Sequence, residues 1–374
     1  MDKTALELQQ RIHAMIARGV VTPTTDEEFD RLAREVFAFQ FERCGPYLAY
    51  CEHLKLTPER VAHWKEIPAT PTSAFKEFAL TCFPVEEAVA EFHTSGTTRE
   101  KSGKHYLRTL ELYEAAIRAS FPEYLLGDCI EENDGKRSAC PTNTLPMMVL
   151  TASSGEARHS SLSHMMGVVM REFGAEDSAF YVEDGRLIVE KLVQDLCEAQ
   201  WAHQPVFLLG TAFAFVHLFD HLAEKNVKLE LSPGSRAMET GGFKGRSREM
   251  PKAELYRLFE RFLGIPKARV VNEYGMTELS TQFYDLTMKV ERQTDVKAAP
   301  PWARVVIIDP NSGREAANDE RGLIRVCDLA NLWSMMSVQT EDLGIARQNG
   351  FEVLGRVARA EVRGCSLTAE NLKM

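Results

Sequence analysis

The chain has 374 residues, 44% of them hydrophobic and 26% charged, with a formal charge of −10 from 44 basic and 54 acidic side chains. That is room for two or three packed units, or for one large enzyme core with subdomains. An acidic balance without a Lys/Arg-rich stripe argues against nucleic acid as a partner, although it leaves ATP open, because local loops hold phosphates. No apolar run reaches the roughly eighteen residues of a membrane span. The N-terminal MDKTALELQQRIHAMIARG is amphipathic and lacks a signal core. Eight cysteines are scattered without a CxxC pair, which predicts reduced thiols and a cytoplasmic protein.

Residues 4–19 place Leu6, Ile12, Met15 and Ile16 at helical spacings, predicting an amphipathic helix that ends near Gly19. Thr25-x-x-Glu28 is a capping box that opens a second helix running towards Cys44-Gly45. Thr57-Pro58 opens a third, short one. The prolines of Ile67-Pro68-Ala69-Thr70-Pro71-Thr72 force extended chain. Residues 1–90 therefore read as a helical N-terminal region of the core. Residues 110–126 are helical again, and 128–143 form a polar loop.

Apolar runs then alternate with amphipathic stretches. Strands are predicted at 147–150, 179–182, 206–209 and 268–271, with helices at 160–173, 185–203, 213–225 and 251–263. This alternation predicts an α/β core over 91–300. Past residue 300 short strands at 304–308, 323–327, 351–354 and 360–362 predict a β-rich subdomain over 301–374. Trp201, Phe207, Phe213, Phe215 and Phe219 read as core rather than as an acyl pocket. His159 and His164 lie five apart without a third ligand, so a metal site is not expected there.

Two segments carry chemistry. Thr94-Ser95-Gly96-Thr97-Thr98 groups four hydroxyls around one glycine, and six residues separate Gly96 from Gly103-Lys104. Hydroxyls, backbone N–H groups and an ammonium suit a polyphosphate, though the spacing is not that of a P-loop and His105 stands where that motif has Ser or Thr. The bland alternative is a polar surface loop. The second segment is Asn272-Glu273-Tyr274-Gly275-Met276-Thr277-Glu278. An aromatic beside a Gly turn can stack on a nucleobase, and Thr and Glu just past it can reach a phosphate and its Mg²⁺. The bland alternative here is a turn with capping residues.

Together, TSGTT…SGK and YGMTE resemble the adenylate-forming superfamily of acyl-CoA synthetases, luciferases and adenylation domains. Gly241-Gly242 stands where that superfamily has its adenine-side loop. Thr340-Glu341-Asp342 resembles its TGD element, with Glu341 departing from Gly, and Gly355-Arg356 resembles its hinge-side Gly-Arg. A closer resemblance is to the bacterial bioluminescence acyl-protein synthetases, the fatty-acid–luciferin-component ligases. It rests on 67–76, 92–105, 239–245, 272–284 and 355–367, in that order.

The resemblance implies an adenylate-forming large-domain architecture, layered α/β sheets with a small β-rich C-terminal subdomain. It implies ATP and Mg²⁺, a carboxylic acid substrate, and an acyl-reductase protein partner; a homo-oligomer stays open. It assigns Thr94, Ser95, Gly96, Thr97, Thr98 and Lys104 to the departing phosphates, and Thr277 to the α-phosphate. Glu278 would reach the metal. Gly241, Gly242, Glu273, Tyr274 and Gly275 would line the nucleotide, Asp342 and Arg356 the ribose. His105 would stand near the reacting carboxylate.

Superfamily members append a lid of about a hundred residues after the Gly-Arg hinge, whereas eighteen follow Arg356 here. The resemblance therefore implies that Cys365, after Arg363 and Gly364, acts in the lid's place as acyl-accepting nucleophile. The ordinary reading of a lone Cys is a small buried residue. Two alternatives remain: a ligase acylating CoA or a carrier protein with Cys365 structural, and a non-catalytic nucleotide-binding regulator.

Overall fold

The computed structural model describes residues 3–94, 101–129, 132–133, 136–137, 145–241 and 250–356. The chain divides into two compact units. Unit 1 comprises Met1–Ser120, Met276–Phe283 and Val296–Met374; unit 2 comprises Phe121–Gly275 and Tyr284–Asp295.

Unit 1 begins with helices α1 (Lys3–Ala17), α2 (Asp26–Arg43) and α3 (Gly45–His53). At the start of α2 the Thr25 hydroxyl accepts the N–H of Glu28 at 3.1 Å, as the capping box predicts. Only half of the box forms, because the Glu28 carboxylate is drawn to Arg18 at 2.8 Å instead. Thr25→Ala should therefore cost about 1 kcal/mol, read as a lower denaturation midpoint of unit 1 with the slope unchanged.

The predicted helix at Thr57 is a single turn, in which Arg60 and Val61 donate to the Thr57 carbonyl. Asp30 and Asp26 of α2 take up the Trp64 backbone and indole N–H groups at 2.7 and 3.2 Å, which draws the chain out of helical geometry. The extended stretch forms as expected, as strand β1 (Thr70–Pro71). A one-turn helix α4 (Ala74–Glu77) follows, then a hairpin of β2 (Ala90–His93) and β3 (Lys104–Leu107). Helix α5 (Glu111–Leu125) carries the chain on into unit 2.

Unit 2 holds the short hairpins β4 (Glu132–Asn133) with β5 (Lys136–Arg137) and, after β6 (Met147–Leu150), α6 (Ser161–Phe173) and β7 (Ala179–Phe180), β8 (Val182–Glu183) with β9 (Arg186–Leu187). Then come α7 (Val189–Trp201), β10 (Phe207–Thr211), α8 (Ala212–Glu224), β11 (Arg236–Thr240), α9 (Lys252–Leu263), β12 (Val270–Tyr274) and β13 (Phe283–Tyr284). The main sheet runs β13-β12-β11-β10-β6-β7, and its strands β6, β7, β10, β11 and β12 pair in parallel.

The buried seam of this unit is aromatic. The Phe259 ring meets Phe215 at 4.8 Å and Phe219 at 5.0 Å between centroids. Phe207 is buried as expected, but Trp201 is 87% exposed, because it falls in the last turn of α7 outside that helix's apolar face.

Sequence reading alone missed β11, whose apolar content is interrupted by Arg236 and Glu239. Both are buried and matched. Arg236 donates to the Leu125 carbonyl at 2.9 Å and to Asp128 at 2.6 Å. Glu239 accepts from the Tyr256 hydroxyl at 3.1 Å and from the Asn272 amide at 2.8 Å.

Back in unit 1, β14 (Ala303–Ile308), β15 (Arg321–Asp328), β16 (Ser337–Arg347) and β17 (Gly350–Arg356) build a second sheet. Its order is β1-β16-β15-β14, with β17 also on β16. The longest strand, β16, accepts β1 in parallel on its first residues and β17 antiparallel on its last ones. No helix among the described residues is long and apolar enough to cross a membrane.

Candidate functional site

Within unit 1 the hydroxyl-rich loop is closed at its base by the β2–β3 hairpin. Thr94 N–H donates to the Gly103 carbonyl at 2.9 Å, and Gly103 N–H donates to the Thr94 hydroxyl oxygen at 2.8 Å. A side chain at Gly103 would come within 3.1 Å of the Thr94 methyl and 3.3 Å of the Phe75 backbone, so glycine here permits the close approach. Ser95, Gly96, Thr97 and Thr98 lie outside the described residues.

Hairpin alternation divides the neighbouring side chains. Lys104 Nζ stands 2.8 Å from the Glu91 carboxylate, and the His93 ring 2.5 Å from it. Burial alone would raise Glu91, but hydrogen bonds with Lys104 and His93 hold it below its usual range. Lys104 therefore has a carboxylate partner here.

On the hairpin's other face His105 is 3% exposed, edge-on to Phe75. Its Nδ1 donates to the Thr277 carbonyl at 2.7 Å. Burial lowers its pKa to about 4, so at neutral pH the ring is uncharged and Nε2 bears no proton to give. The arrangement suits a residue that holds Thr277 and can accept a hydrogen bond, and not a general acid. Because the folded pKa lies below the unfolded value of 6.5, the folded state binds fewer protons between pH 4 and 6.5. Stability should fall as pH drops through that window, by at most about 1.4 kcal/mol per pH unit from this group. His105→Gln should remove that part of the slope in chemical denaturation measured at pH 4.5, 5.5 and 6.5.

The Thr277 hydroxyl also donates to the His93 carbonyl, at 3.3 Å. Glu278 is 7% exposed. Mg²⁺ is held by one or two carboxylates and completes its shell with phosphate oxygens and water, so a buried hard-oxygen donor at this position fits it.

The Thr340–Asp342 element sits in a bulge. On β15 only Ile324 lies between the register pairs Leu323↔Leu343 and Arg325↔Gln339, opposite residues 340–342 of β16. Bulges re-aim side chains and recur beside active sites. Thr340 fixes this one, donating to the Ile324 carbonyl at 2.8 Å and accepting the Asp342 N–H at 3.1 Å. Glu341 is exposed, so the position that departs from glycine meets no obstruction. Asp342 pairs in register with Arg356, whose Nε lies 3.6 Å from its carboxylate. Cys365 lies outside the described residues.

Within unit 2 two adjacent parallel strands end side by side, at the edge at which open α/β sheets bind ligands. Thr240 ends β11 opposite Glu273 on β12, and its hydroxyl donates to the Glu273 carboxylate. Gly241 follows with φ +70°, a left-handed turn that favours glycine. A Cβ on Gly275 would stand 2.3 Å from Glu273 Oε1. Asn272 ties the strand to Glu239 through its amide and to Asp285 through its N–H at 2.8 Å, and Tyr274 is half-buried. Gly242 lies outside the described residues.

Sequence reasoning passed over Asp328 and Asn331, whose side chains hold the segment following Thr277. The available signal was two polar residues inside the apolar run of Val326 to Trp333.

The family described as acyl-protein synthetase, LuxE, matches residues 136–372. This chain belongs to that family. As a member it is an enzyme, an AMP-forming acyl ligase. A long-chain-fatty-acid–luciferin-component ligase of Aliivibrio fischeri is 22% identical over 355 residues, covering 92% of this chain and 88% of that protein. Among solved structures, a 2-hydroxyisobutyryl-CoA ligase in the postadenylation state is 15% identical with a TM-score of 0.66, over 91% of this chain and 69% of that one. ATP-bound MatB from Rhodopseudomonas palustris is 17% identical with a TM-score of 0.51, over 75% of this chain; the chain spans 50% of MatB's length. These likenesses agree with the α/β adenylate-forming architecture that the resemblance implies.

Proposed function

We propose that this chain activates a carboxylic acid, a long-chain fatty acid first among them, with ATP and then takes the acyl group onto its own Cys365. The observation that carries the reading is Thr277. Its carbonyl and hydroxyl are both engaged by the hairpin that bears the phosphate-type loop, and the buried Glu278 carboxylate is the next residue.

In this reading a carboxylate oxygen of the acid attacks the α-phosphorus of ATP, the α–β phosphoanhydride bond breaks, and pyrophosphate leaves. Residues 94–98 and Lys104 hold the departing phosphates, Lys104 exchanging Glu91 for a phosphate oxygen. The Thr277 hydroxyl donates to the α-phosphate, exchanging the His93 carbonyl for a phosphate oxygen. Mg²⁺, held by Glu278, would supply positive charge beside the phosphates. Tyr274 with Gly241 and Gly242 lines the adenine, Glu273 and Gly275 shape that wall, and Asp342 with Arg356 holds the ribose. Catalysis of this kind is positioning and electrostatics. The Cys365 thiolate then attacks the acyl carbon, the bond to the phosphate oxygen breaks, and AMP leaves. In this reading the thioester is then handed to a partner acyl reductase.

Acid-dependent ATP–pyrophosphate exchange tests the first half. We expect exchange with fatty acids that vanishes without acid. ATP binding with no exchange for any acid would leave a nucleotide-binding regulator instead. Exchange followed by transfer to CoA, undiminished in Cys365→Ala, would make the chain a CoA ligase.

A further inference from the structure

The segment that carries Thr277 and Glu278 is also gripped by two buried side chains that the chemistry above does not use. Asp328, at the end of β15, is fully buried. Its Oδ2 accepts the backbone N–H groups of Ser280 and Thr281, each at 2.9 Å. Its Oδ1 accepts the Thr281 hydroxyl at 2.7 Å and the Ala330 N–H at 3.0 Å. Capping the short turn Leu329–Asn331 needs only the last of these bonds. The other three point at residues 280–281. A carboxylate buried without a cation beside its oxygens is costly unless donors surround it, and four do so here.

Asn331 is 2% exposed and completes the grip. Its amide donates to the Glu278 carbonyl at 2.7 Å and to the Met335 carbonyl at 3.0 Å, and accepts the Ser280 hydroxyl at 2.5 Å. Two further side chains fix this support in turn. Gln40 of α2 donates to the Asn331 carbonyl at 2.9 Å, and the Trp302 indole donates to the Thr281 hydroxyl oxygen at 3.0 Å. Residues 277–281 are thus held at Thr277 by His93 and His105, and at Glu278, Ser280 and Thr281 by Asp328 and Asn331.

We propose that Asp328 and Asn331 are positioning residues of the adenylation step, fixing the main chain at 278–281 so that the Thr277 hydroxyl and the Glu278 carboxylate are set before the nucleotide arrives. The proposal rests on the roles given to Thr277 and Glu278 above. It follows from the density of polar bonds spent on residues 277–281, of which Leu279 alone adds an apolar side chain to the core. Preset donors cost no reorganisation as charge develops, and a displacement near 1 Å can lower a rate about 100-fold.

Two variants test it in the full chain. Asn331→Asp sets a carboxylate against the Glu278 and Met335 carbonyls, and Ser280→Ala removes one bond. Three quantities are read for each: kcat and KM for ATP in acid-dependent pyrophosphate exchange, the denaturation midpoint, and hydrogen exchange of the peptide spanning 277–281. We expect kcat to fall by at least about 30-fold for Asn331→Asp and about 5-fold for Ser280→Ala. KM for ATP should change by less than about threefold, and exchange should quicken in 277–281 ahead of the β2–β3 hairpin.

Lower midpoints with kcat per folded molecule unchanged would overturn the proposal. Should Asn331→Asp fail to fold, Ser280→Ala decides alone, and unchanged kcat with unchanged exchange overturns it. If the wild type itself shows no acid-dependent exchange of pyrophosphate, the adenylation reading has failed separately. Faster hydrogen exchange in 277–281 would then keep the grip on that segment, and unchanged exchange would remove it.

Discussion

Cys365→Ala should remove covalent acyl labelling, a loss of at least ~100-fold, while acid-dependent pyrophosphate release stays within about threefold of the wild type. The two steps separate because the nucleophile of the second takes no part in the first. Cys365 falls inside the stretch matched by the acyl-protein synthetase family, two residues after Arg363 in the sequence. A guanidinium close to a thiol favours the thiolate, which is the attacking species. Four of the other thiols are poor substitutes. Cys44, Cys51, Cys82 and Cys327 are buried, and burial raises each of them, to about 11 for Cys44 and about 12 for Cys51. Labelling that persists in Cys365→Ala and moves to the exposed Cys197 would contradict the assignment.

Gly275→Ala should lower kcat/KM for pyrophosphate exchange by about 100-fold, close to 2.7 kcal/mol of transition-state stabilisation. The new methyl would stand 2.3 Å from Glu273 Oε1. That carboxylate cannot simply swing aside, since Glu273 is 4% exposed and takes the Thr240 hydroxyl. The strain must pass into the β12 end and the main chain leading to Thr277. Gly241→Ala is the useful contrast: nothing among the described residues lies within 4 Å of its Cβ, so the left-handed backbone penalty of about 1 kcal/mol is the cost expected there. Both variants are to be assayed at equal folded fraction. A loss below threefold for Gly275→Ala would show that Glu273 relaxes and that this wall of the site tolerates a side chain.

Local patterns were legible where one physical demand dominated. Residues 147–150 alternate with nothing and are wholly apolar, and they form a strand buried on both faces. The prolines at 68 and 71 forced extension, and β1 lies there. The helices expected at 160–173 and 213–225 form as α6 and α8, which Ser160 and Thr211 cap. Legibility failed where long-range partners decided. The strand β11 hides Arg236 and Glu239, which partners such as Leu125, Asp128, Tyr256 and Asn272 make tolerable in a core. The strand β16 was missed because its central residues 340–342 bulge, and no alternation survives a bulge.

The candidate site divides the same way. Glycines and hydroxyls in short motifs marked Gly103, Gly275 and Thr277, because close backbone approach and short-range hydrogen bonds leave a mark within a few residues. The function of His105 as the neutral holder of Thr277 depends on a residue 172 positions away. Asp328 and Asn331 grip residues 47 to 53 positions upstream. Such pairings have no local signature beyond a polar residue among apolar ones.

Intact mass of the full chain after incubation with Mg-ATP and a panel of fatty and aryl acids addresses the central claim most directly. The account predicts a single added acyl group that needs ATP, is released by neutral hydroxylamine as a thioester is, and is absent in Cys365→Ala. An unmodified mass with every acid, under conditions where pyrophosphate is released, would contradict it and place the acyl acceptor on another molecule.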